Sequence, residues 1–466
     1  MRVVVARGSH PGLAQQLAAL GVPLDLRCGG RGTCGRCRVT LLAGEWRVDG
    51  RPAAAPCEAL ACRAVLVSET GNVDVPESAR AGRNGRVAAE WRGDPLPRTP
   101  ETVLAVDIGT TTLAAVKIRQ GEILGTASCF NPQSRFGDNV IARIVQAADG
   151  GLDDLQSDVL GAVRGLLEAL DPGDARRVAV AGNTVMTCLF HGVNPASIGV
   201  LPFTPPRRVF PERHDLLGGL AVLTVPCISG YVGGDLTAGF AETQLRPGEM
   251  LIDIGTNCEI VFAAGREVVC AAAAAGPAFE GAGLSCGCRA ADGAIDHVRD
   301  DGTFTQIGDS APIGLCGSGL IDFIATRRRA GRLTRMGRYT PPAAAAPVTG
   351  ALSVTERDIE QILKAKAAVW AGIRTIEDHC GEPARRIYLA GGFAQFLDLV
   401  SGRAIGMLPD RPFEIVGNTS LAGAARLACD PSLMPRLEAL IDRPREIPLN
   451  TLPAFQDHFI DGLLLP

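Results

Sequence analysis

The apolar positions fall into two regimes along the chain. Over residues 1–78 they come as short β-branched runs, "MRVVVA", "RCRVTLLAG" and "RAVLVSE", parted by Gly and Pro, which predicts a small, turn-rich β domain. Between residues 77 and 100 the periodicity disappears and Arg, Gly and Pro dominate, ending in "RGDPLPRTP", so a linker is expected over 79–101. Ordered pattern resumes at Val103. From there short apolar strands alternate with helix-like segments at 138–148, 318–330 and 354–376, the signature of an α/β fold.

One local pattern occurs twice. "VLAVDIGTTTLAAVKI" (103–118) and "MLIDIGTNCEIVF" (250–262) each read as strand, Asp-Ile-Gly-Thr turn, strand, with Asp107 and Asp253 lying 146 residues apart. Two copies directly after an apolar strand predict two similar lobes with a ligand between them, lobe I at about 102–245 and lobe II at about 246–430, followed by a tail at 431–466.

Composition narrows the class. The 466 residues are 46% hydrophobic and 21% charged, an ordinary globular balance with room for two to four domains. A net charge of −4 argues against a nucleic-acid binder. Charge is uneven, because residues 1–98 hold fourteen Arg, no Lys and nine acidic groups, about +5, which leaves −9 for the rest. That asymmetry is either a solvated arginine surface or a docking face. No apolar run approaches the length of about 18 residues needed to span a bilayer, and "MRVVVARGSHPG" has no secretory signal pattern. A cytoplasmic protein with no membrane partner is expected. The 15 scattered cysteines do not suit a secreted disulfide framework and point to metal or redox work where they cluster.

They cluster in "RCGGRGTCGRCRV" (27–39). Cys28, Cys34 and Cys37 stand as C-x5-C-x2-C, and Cys62 follows 25 residues after Cys37. Plant-type ferredoxins hold a [2Fe–2S] cluster with C-x4-C-x2-C and a distant fourth cysteine. The extra residue is tolerable because Gly29, Gly30, Gly32 and Gly35 let the loop bend, and loop N–H groups can face the sulfurs. Zinc or unligated thiols stay open as alternatives, although zinc sites usually pair two C-x2-C hooks. Cys62 is favoured over Cys57 as fourth ligand. Arg27, Arg31, Arg36 and Arg38 would raise a cluster's potential or dock an acidic electron donor.

In each DIGT turn the Asp at the strand end could hold Mg²⁺ partly through water, and the turn's N–H groups and hydroxyls suit phosphate oxygens. A third element, "IYLAGGFAQF" (387–396), reads as a strand, a Gly-Gly turn and a helix, where a nucleotide can lie against the backbone. Cys286, Cys288 and Cys316 lie on Gly-rich segments, read as packing residues or, in the alternative, a second metal site.

This order of motifs resembles the superfamily joining acetate and sugar kinases, heat-shock chaperones and actin. Within it, "NPQSRFGDNVIARI", "VAGNTVMTCLF", "YVGGDLTAGF", "GPAFEGAGLSCGCRA", "LCGSGLIDFI" and "VGNTSLAGAARLA" resemble the ATPase part of the reductive activators of corrinoid proteins, which carry an N-terminal [2Fe–2S] domain. The resemblance covers nearly all of the chain outside the linker. It implies an α+β ferredoxin-like (β-grasp) domain at 1–78 and a two-lobed α/β actin-like ATPase at 102–466. Gly109, Thr110 and Thr111 would serve the first phosphate site, Gly255, Thr256 and Asn257 the second, and Gly391 and Gly392 the adenosine site. Asp107 and Asp253 would act in catalysis, and Asp235 would position the attacking water, its alternative reading being a helix N-cap. Two departures stand out. The activators carry a further domain where this linker leads straight to Val103, and Cys258 stands where a glycine is usual.

The implied activity is ATP-driven return of a corrinoid cobalt from Co(II) to Co(I) for methyl transfer. A deficit of ~200 mV would cost roughly 5 kcal/mol for one electron, a gap that ATP-dependent lobe closure can cover. The implied partners are a corrinoid protein of a methyltransferase system and a low-potential electron donor, and a homodimer is one state this allows. Three rivals remain: an activator of the 2-hydroxyacyl-CoA dehydratase type, a redox-switched small-molecule kinase, and a non-enzymatic ATP and redox sensor.

Overall fold

Strand alternation builds the first of two units, Met1–Arg83 together with Gln133–Asp138. The computed structural model describes the chain apart from residues 9–11, 23, 25, 27–29, 31, 33–34, 77–78, 81–88, 138 and 351. Strand β1 (Arg2–Ala6) turns Val3 and Val5 inward and Arg2, Val4 and Ala6 outward. It is followed by α1 (Leu13–Ala19), β2 (Arg38–Ala43), β3 (Glu45–Val48) and β4 (Arg51–Ala54). Then come β5 (Cys57–Leu60), β6 (Ala64–Leu66) and β7 (Thr70–Asp74). One sheet runs β1-β7-β2-β5, antiparallel throughout, and a smaller one runs β4-β3-β6. Helix α1 lays Leu13 and Leu17 against Val5, Val39, Leu41 and Val73 in one core. The predicted β domain is thus an α+β unit.

The second unit comprises Asn84–Pro132 and Asn139–Pro466. Its first lobe contains β8 (Val103–Ile108), β9 (Thr112–Arg119), β10 (Glu122–Phe130), α2 (Val140–Gln146) and α3 (Leu152–Ala169). It continues with β11 (Arg177–Gly182), α4 (Thr184–Phe190), β12 (Ala221–Thr224) and α5 (Gly234–Thr243). The second lobe opens with β13 (Glu249–Ile254), β14 (Cys258–Ala263) and β15 (Val268–Ala273). Short strands β16 (Ala294–Val298), β17 (Phe304–Gln306) and β18 (Gly314–Leu315) lead into α6 (Gly317–Arg329). The hairpin β19 (Ala345–Thr349) and β20 (Leu352–Thr355) precedes α7 (Glu356–Cys380), β21 (Arg386–Ala390) and α8 (Leu399–Ala404). The chain ends with β22 (Phe413–Gly417), α9 (Thr419–Cys429), α10 (Met434–Leu440), β23 (Pro444–Glu446) and α11 (Pro453–Gly462).

The repeated hairpin has become a repeated sheet. Lobe I orders its strands β10-β9-β8-β11-β12, and lobe II orders five of its six as β15-β14-β13-β21-β22. In both, the first hairpin is antiparallel and the next two strands join in parallel. The central strands β8 and β13 are apolar at nearly every position because both faces are covered. The longest predicted helix, α7, starts in a capping box of Thr355 and Asp358 and stops at Gly381, whose φ of +70 suits glycine.

Packing around α7 carries one buried cation. Lys366 is fully buried and its Nζ donates to the Leu464 carbonyl at 2.7 Å, while the Leu465 N–H donates to Arg335 O and Arg328 Nε to Pro466 O. These bonds seat the last residues against α6 and α7. Burial pulls the Lys366 pKa from 10.5 down to about 7. A lysine depressed in the folded state binds its proton more tightly when unfolded, so stability should rise with pH between about 7 and 10.5, by up to about 1.4 kcal/mol per pH unit. Lys366→Met should flatten that slope in urea-unfolding titrations; an unchanged slope would mean the amine is solvated.

Candidate nucleotide cleft and cysteine site

The two DIGT turns line one cleft of the second unit, together with Gly391 and Gly392. In the first, the Gly109 N–H donates to Thr112 O at 3.0 Å, and a Cβ on Gly109 would stand only 2.5 Å from that oxygen. In the second, the Gly255 N–H donates to Asn257 O at 2.9 Å. The turns meet across the cleft, with the hydroxyls of Thr111 and Thr256 hydrogen-bonded at 3.3 Å. Asn183 Nδ2 donates to Thr110 Oγ1 at 2.9 Å, and Thr256 Oγ1 donates to Glu280 Oε1 at 2.8 Å. Gly391 has a φ of +94, and a side chain there would crowd Asp253 Oδ1. Beside the glycine pair, Phe279 and Phe393 stack at 4.5 Å and 13°, a flat surface of the kind that packs against a nucleobase.

Three predicted aspartates converge on the same cleft. Asp107, next to last in β8, accepts from Asn418 Nδ2 at 2.9 Å and Ser420 Oγ at 2.7 Å. Burial pushes its carboxyl up, and those two bonds pull the other way. Asp253 is raised to about 8, chiefly by burial and then by the charges of Asp235 and Asp107. Asp235 sits in the first turn of α5, raised to about 7 by burial and by Asp107, with its Oδ1 accepting from the Leu236 N–H at 2.8 Å. The N-cap of α5 is Gly233, so Asp235 does not fill the capping role that its position in sequence also allowed. Glu259, likewise buried, is pushed well up.

Carboxylates crowded together away from water are costly unless protonated or neutralised. The cleft therefore suits a divalent cation arriving with phosphates. Among the described residues no group of three or more His, Cys, Asp or Glu is arranged to hold a metal by itself. Mg²⁺ in nucleotide sites usually takes one or two carboxylates and completes its shell with phosphate and water, which fits Asp107 and Asp253.

Several participants escaped the sequence reading: Asn183, Glu280, Phe279, Phe393, Asn418 and Ser420. Asn418 caps α9, its Oδ1 accepting from the Leu421 N–H at 2.8 Å. Its Nδ2 is what reaches Asp107.

In the first unit, Cys28 and Cys34 lie outside the described residues. Cys37 is buried and Cys62 half-buried. The Ala61 N–H donates to the Cys37 carbonyl at 2.8 Å, so Cys62 is one residue from the position bonded to Cys37. From the loop side, Gly30, with φ +74, comes close enough that a Cβ would touch Cys62 Cβ at 3.9 Å. Cys57 instead sits opposite Leu41 on the sheet. The described half of the thiol set, Cys37 and Cys62, is thus brought to neighbouring backbone positions by the Ala61 bond, which suits ligands of one small cluster. Cys286, Cys288 and Cys316 are buried; Cys288 and Cys316 pack with Ala294.

Residues 248–466 match the family described as the C-terminal domain of RACo, the ASKHA domain, and residues 102–247 match the RACo middle region. Residues 3–67 match the 2Fe-2S iron-sulfur cluster binding domain. The chain belongs to the RACo family. It is 28% identical over 380 residues to the corrinoid activation enzyme RamQ of Eubacterium limosum, covering 69% of this chain and 63% of RamQ. The match thus spans a little under two thirds of RamQ. It is 27% identical over 396 residues to the [Co(II) methylated amine-specific corrinoid protein] reductase of Methanosarcina barkeri, covering 74% and 72%. A solved structure of a reductive activator for a corrinoid, iron-sulfur protein matches with a TM-score of 0.71 at 26% identity, covering 99% of this chain and 96% of that one. In this RACo-family chain the ferredoxin-type unit and the actin-like ATPase are therefore both present. No described helix is long and apolar enough to cross a membrane.

Proposed function

We propose that this RACo-family protein is an ATP-dependent reductive activator, an enzyme that returns the cobalt of a partner corrinoid protein from Co(II) to Co(I). The observation that carries the reading is the joint placement of Asp107, Asp253, both DIGT turns and the Gly391–Gly392 pair around one cleft. The named activities of RamQ and the Methanosarcina reductase support its destination. The chain's own residues divide the work. N–H groups and hydroxyls at 109–112 and 255–257 would bind phosphate oxygens; Asp107 and Asp253 would hold Mg²⁺; Asp235 would orient the attacking water; Phe393 and the glycine pair would seat the adenosine. The thiols of Cys28, Cys34, Cys37 and Cys62 would hold the [2Fe–2S] group, which when bound supplies a one-electron donor.

The Thr111–Thr256 bond supports a reading in which both lobes register a bound phosphate. Any ligand inserted there must engage both turns, so binding energy can be spent on closing the cleft. The reading includes a low-potential electron donor and a cytoplasmic location. It is tested by measuring ATP hydrolysis with and without a Co(II) corrinoid protein. Stimulation by the Co(II) form and not by the methylated form is expected. A rate indifferent to the partner would oppose it.

A further inference from the structure

Within the described second half of the linker, residues 90–92 are tied to the edge of the lobe II sheet. Trp91 forms an antiparallel bridge with Gly417 of β22, the edge strand of the lobe II sheet. The Arg92 N–H donates to Val416 O, and the Asn418 N–H donates to Glu90 O, both at 2.9 Å. Farther on, Arg426 of α9 donates to the carbonyls of Asp94 and Pro95 at 2.9 and 3.2 Å, its guanidinium also held by Glu242. Ala89 and Trp91 pack against the apolar cluster that includes α9. Gly417 has φ +78, and a side chain there would collide with the Glu90 carbonyl.

The same joint reaches into the cleft from its other side. The Gly417 carbonyl accepts from the Gly391 N–H at 3.2 Å. Asn418 and, two residues on, Ser420 hold the two oxygens of Asp107. Gly417 and Asn418 therefore stand between residues 90–92 and two cleft elements, each one hydrogen bond away.

We propose that residues 90–95 are a nucleotide-responsive strap, and that Trp91 is a positioning residue for Asp107. This rests on the ATPase reading above. Coupling between sites is reciprocal: a nucleotide that fixes Gly391 and Asp107 tightens the strap, and a docked strap holds Asp107 in its working position. Residue 89 leads back along the chain toward the cysteine-bearing unit, so the strap gives that covalent connection a response to ATP.

Hydrogen exchange on the full-length wild type, with and without Mg²⁺ and a non-hydrolysable ATP analogue, tests the first half. The Arg92 and Asn418 amides should exchange about tenfold more slowly with the analogue. Trp91→Ala should lower kcat for ATP hydrolysis about tenfold and change KM for ATP less than about threefold, with Trp91→Phe restoring most of the loss. Exchange at both amides unmoved by a saturating analogue, or Trp91→Ala at wild-type kcat, overturns the strap. The exchange arm needs only the wild type, so it decides the matter even where Trp91→Ala does not fold. A wild type that hydrolyses ATP without a strap response sinks the strap alone. A wild type that neither binds nor hydrolyses ATP sinks the ATPase reading and the strap with it.

Discussion

Cys62→Ser protein, purified without oxygen, will hold little iron or sulfide and lose the rhombic S = 1/2 EPR signal of the reduced wild type, whereas Cys57→Ser will keep both. The wild type should carry about two irons per chain. Two observations separate the cysteines. Cys62 follows Ala61, which is bonded to the Cys37 carbonyl, and Gly30 of the cysteine loop closes on the Cys62 side chain. Cys57 lies opposite Leu41 of β2, four residues on from Cys37, which directly precedes that strand, roughly 13 Å away at the strand rise. That is too far for both thiolates to reach one two-iron group. Retention of iron in Cys62→Ser and its loss in Cys57→Ser would reverse the ligand assignment.

Asp107→Asn should slow ATP hydrolysis roughly a hundredfold or more, the scale of losing a metal-held charge at a phosphoryl centre. Its thermal midpoint should stay level or rise. The substitution conserves volume, and it removes one of the buried charges that push up Asp253 and Asp235. Activity falling while stability holds separates a functional carboxylate from a structural one. A related consequence concerns protons. With a pKa of about 8, Asp253 keeps its proton at pH 7 in the empty cleft, and a bound dication expels it. Mg²⁺–nucleotide affinity should therefore rise with pH from about 6 to 8, with proton release visible in calorimetry across buffers of different ionisation heat. Asp253→Asn should weaken that dependence, leaving the share that Asp235 contributes; a pH-independent affinity in the wild type would place the cation elsewhere.

The parts of this site that could be read from sequence were those whose chemistry is local. The first DIGT turn needs its glycine because Thr112 O lies where a Cβ would go, whereas a Cβ on Gly255 would stand 3.6 Å from Asn257 O, an ordinary contact. The motif is written within six residues, and its repetition after an apolar strand announces the second lobe. The partners of Asp107 were not legible, since Asn418 and Ser420 stand 311 and 313 residues away and carry only the look of a helix start. Glu280 and Phe279, by contrast, lie in the stretch "GPAFEG" with no role legible there, because hydrogen bonding to Thr256 and stacking on Phe393 depend on tertiary placement. The linker shows the limit most plainly. Its Arg, Gly and Pro content reads as unstructured chain, yet residues 90–92 are held by backbone N–H and C=O groups, whose pairing leaves no mark in the sequence of the linker itself. The cysteine loop was legible as spacing, and the choice of Cys62 gains its physical ground from the Ala61 bond.

The most direct measurement is a single turnover. The protein is reduced, freed of reductant and mixed anaerobically with a Co(II) corrinoid protein, and Co(I) is followed by absorbance with and without Mg²⁺–ATP. Formation of close to one Co(I) per reduced chain only when ATP is present is the predicted result. Equal reduction without ATP, or steady ATP hydrolysis with no Co(I), would contradict the account.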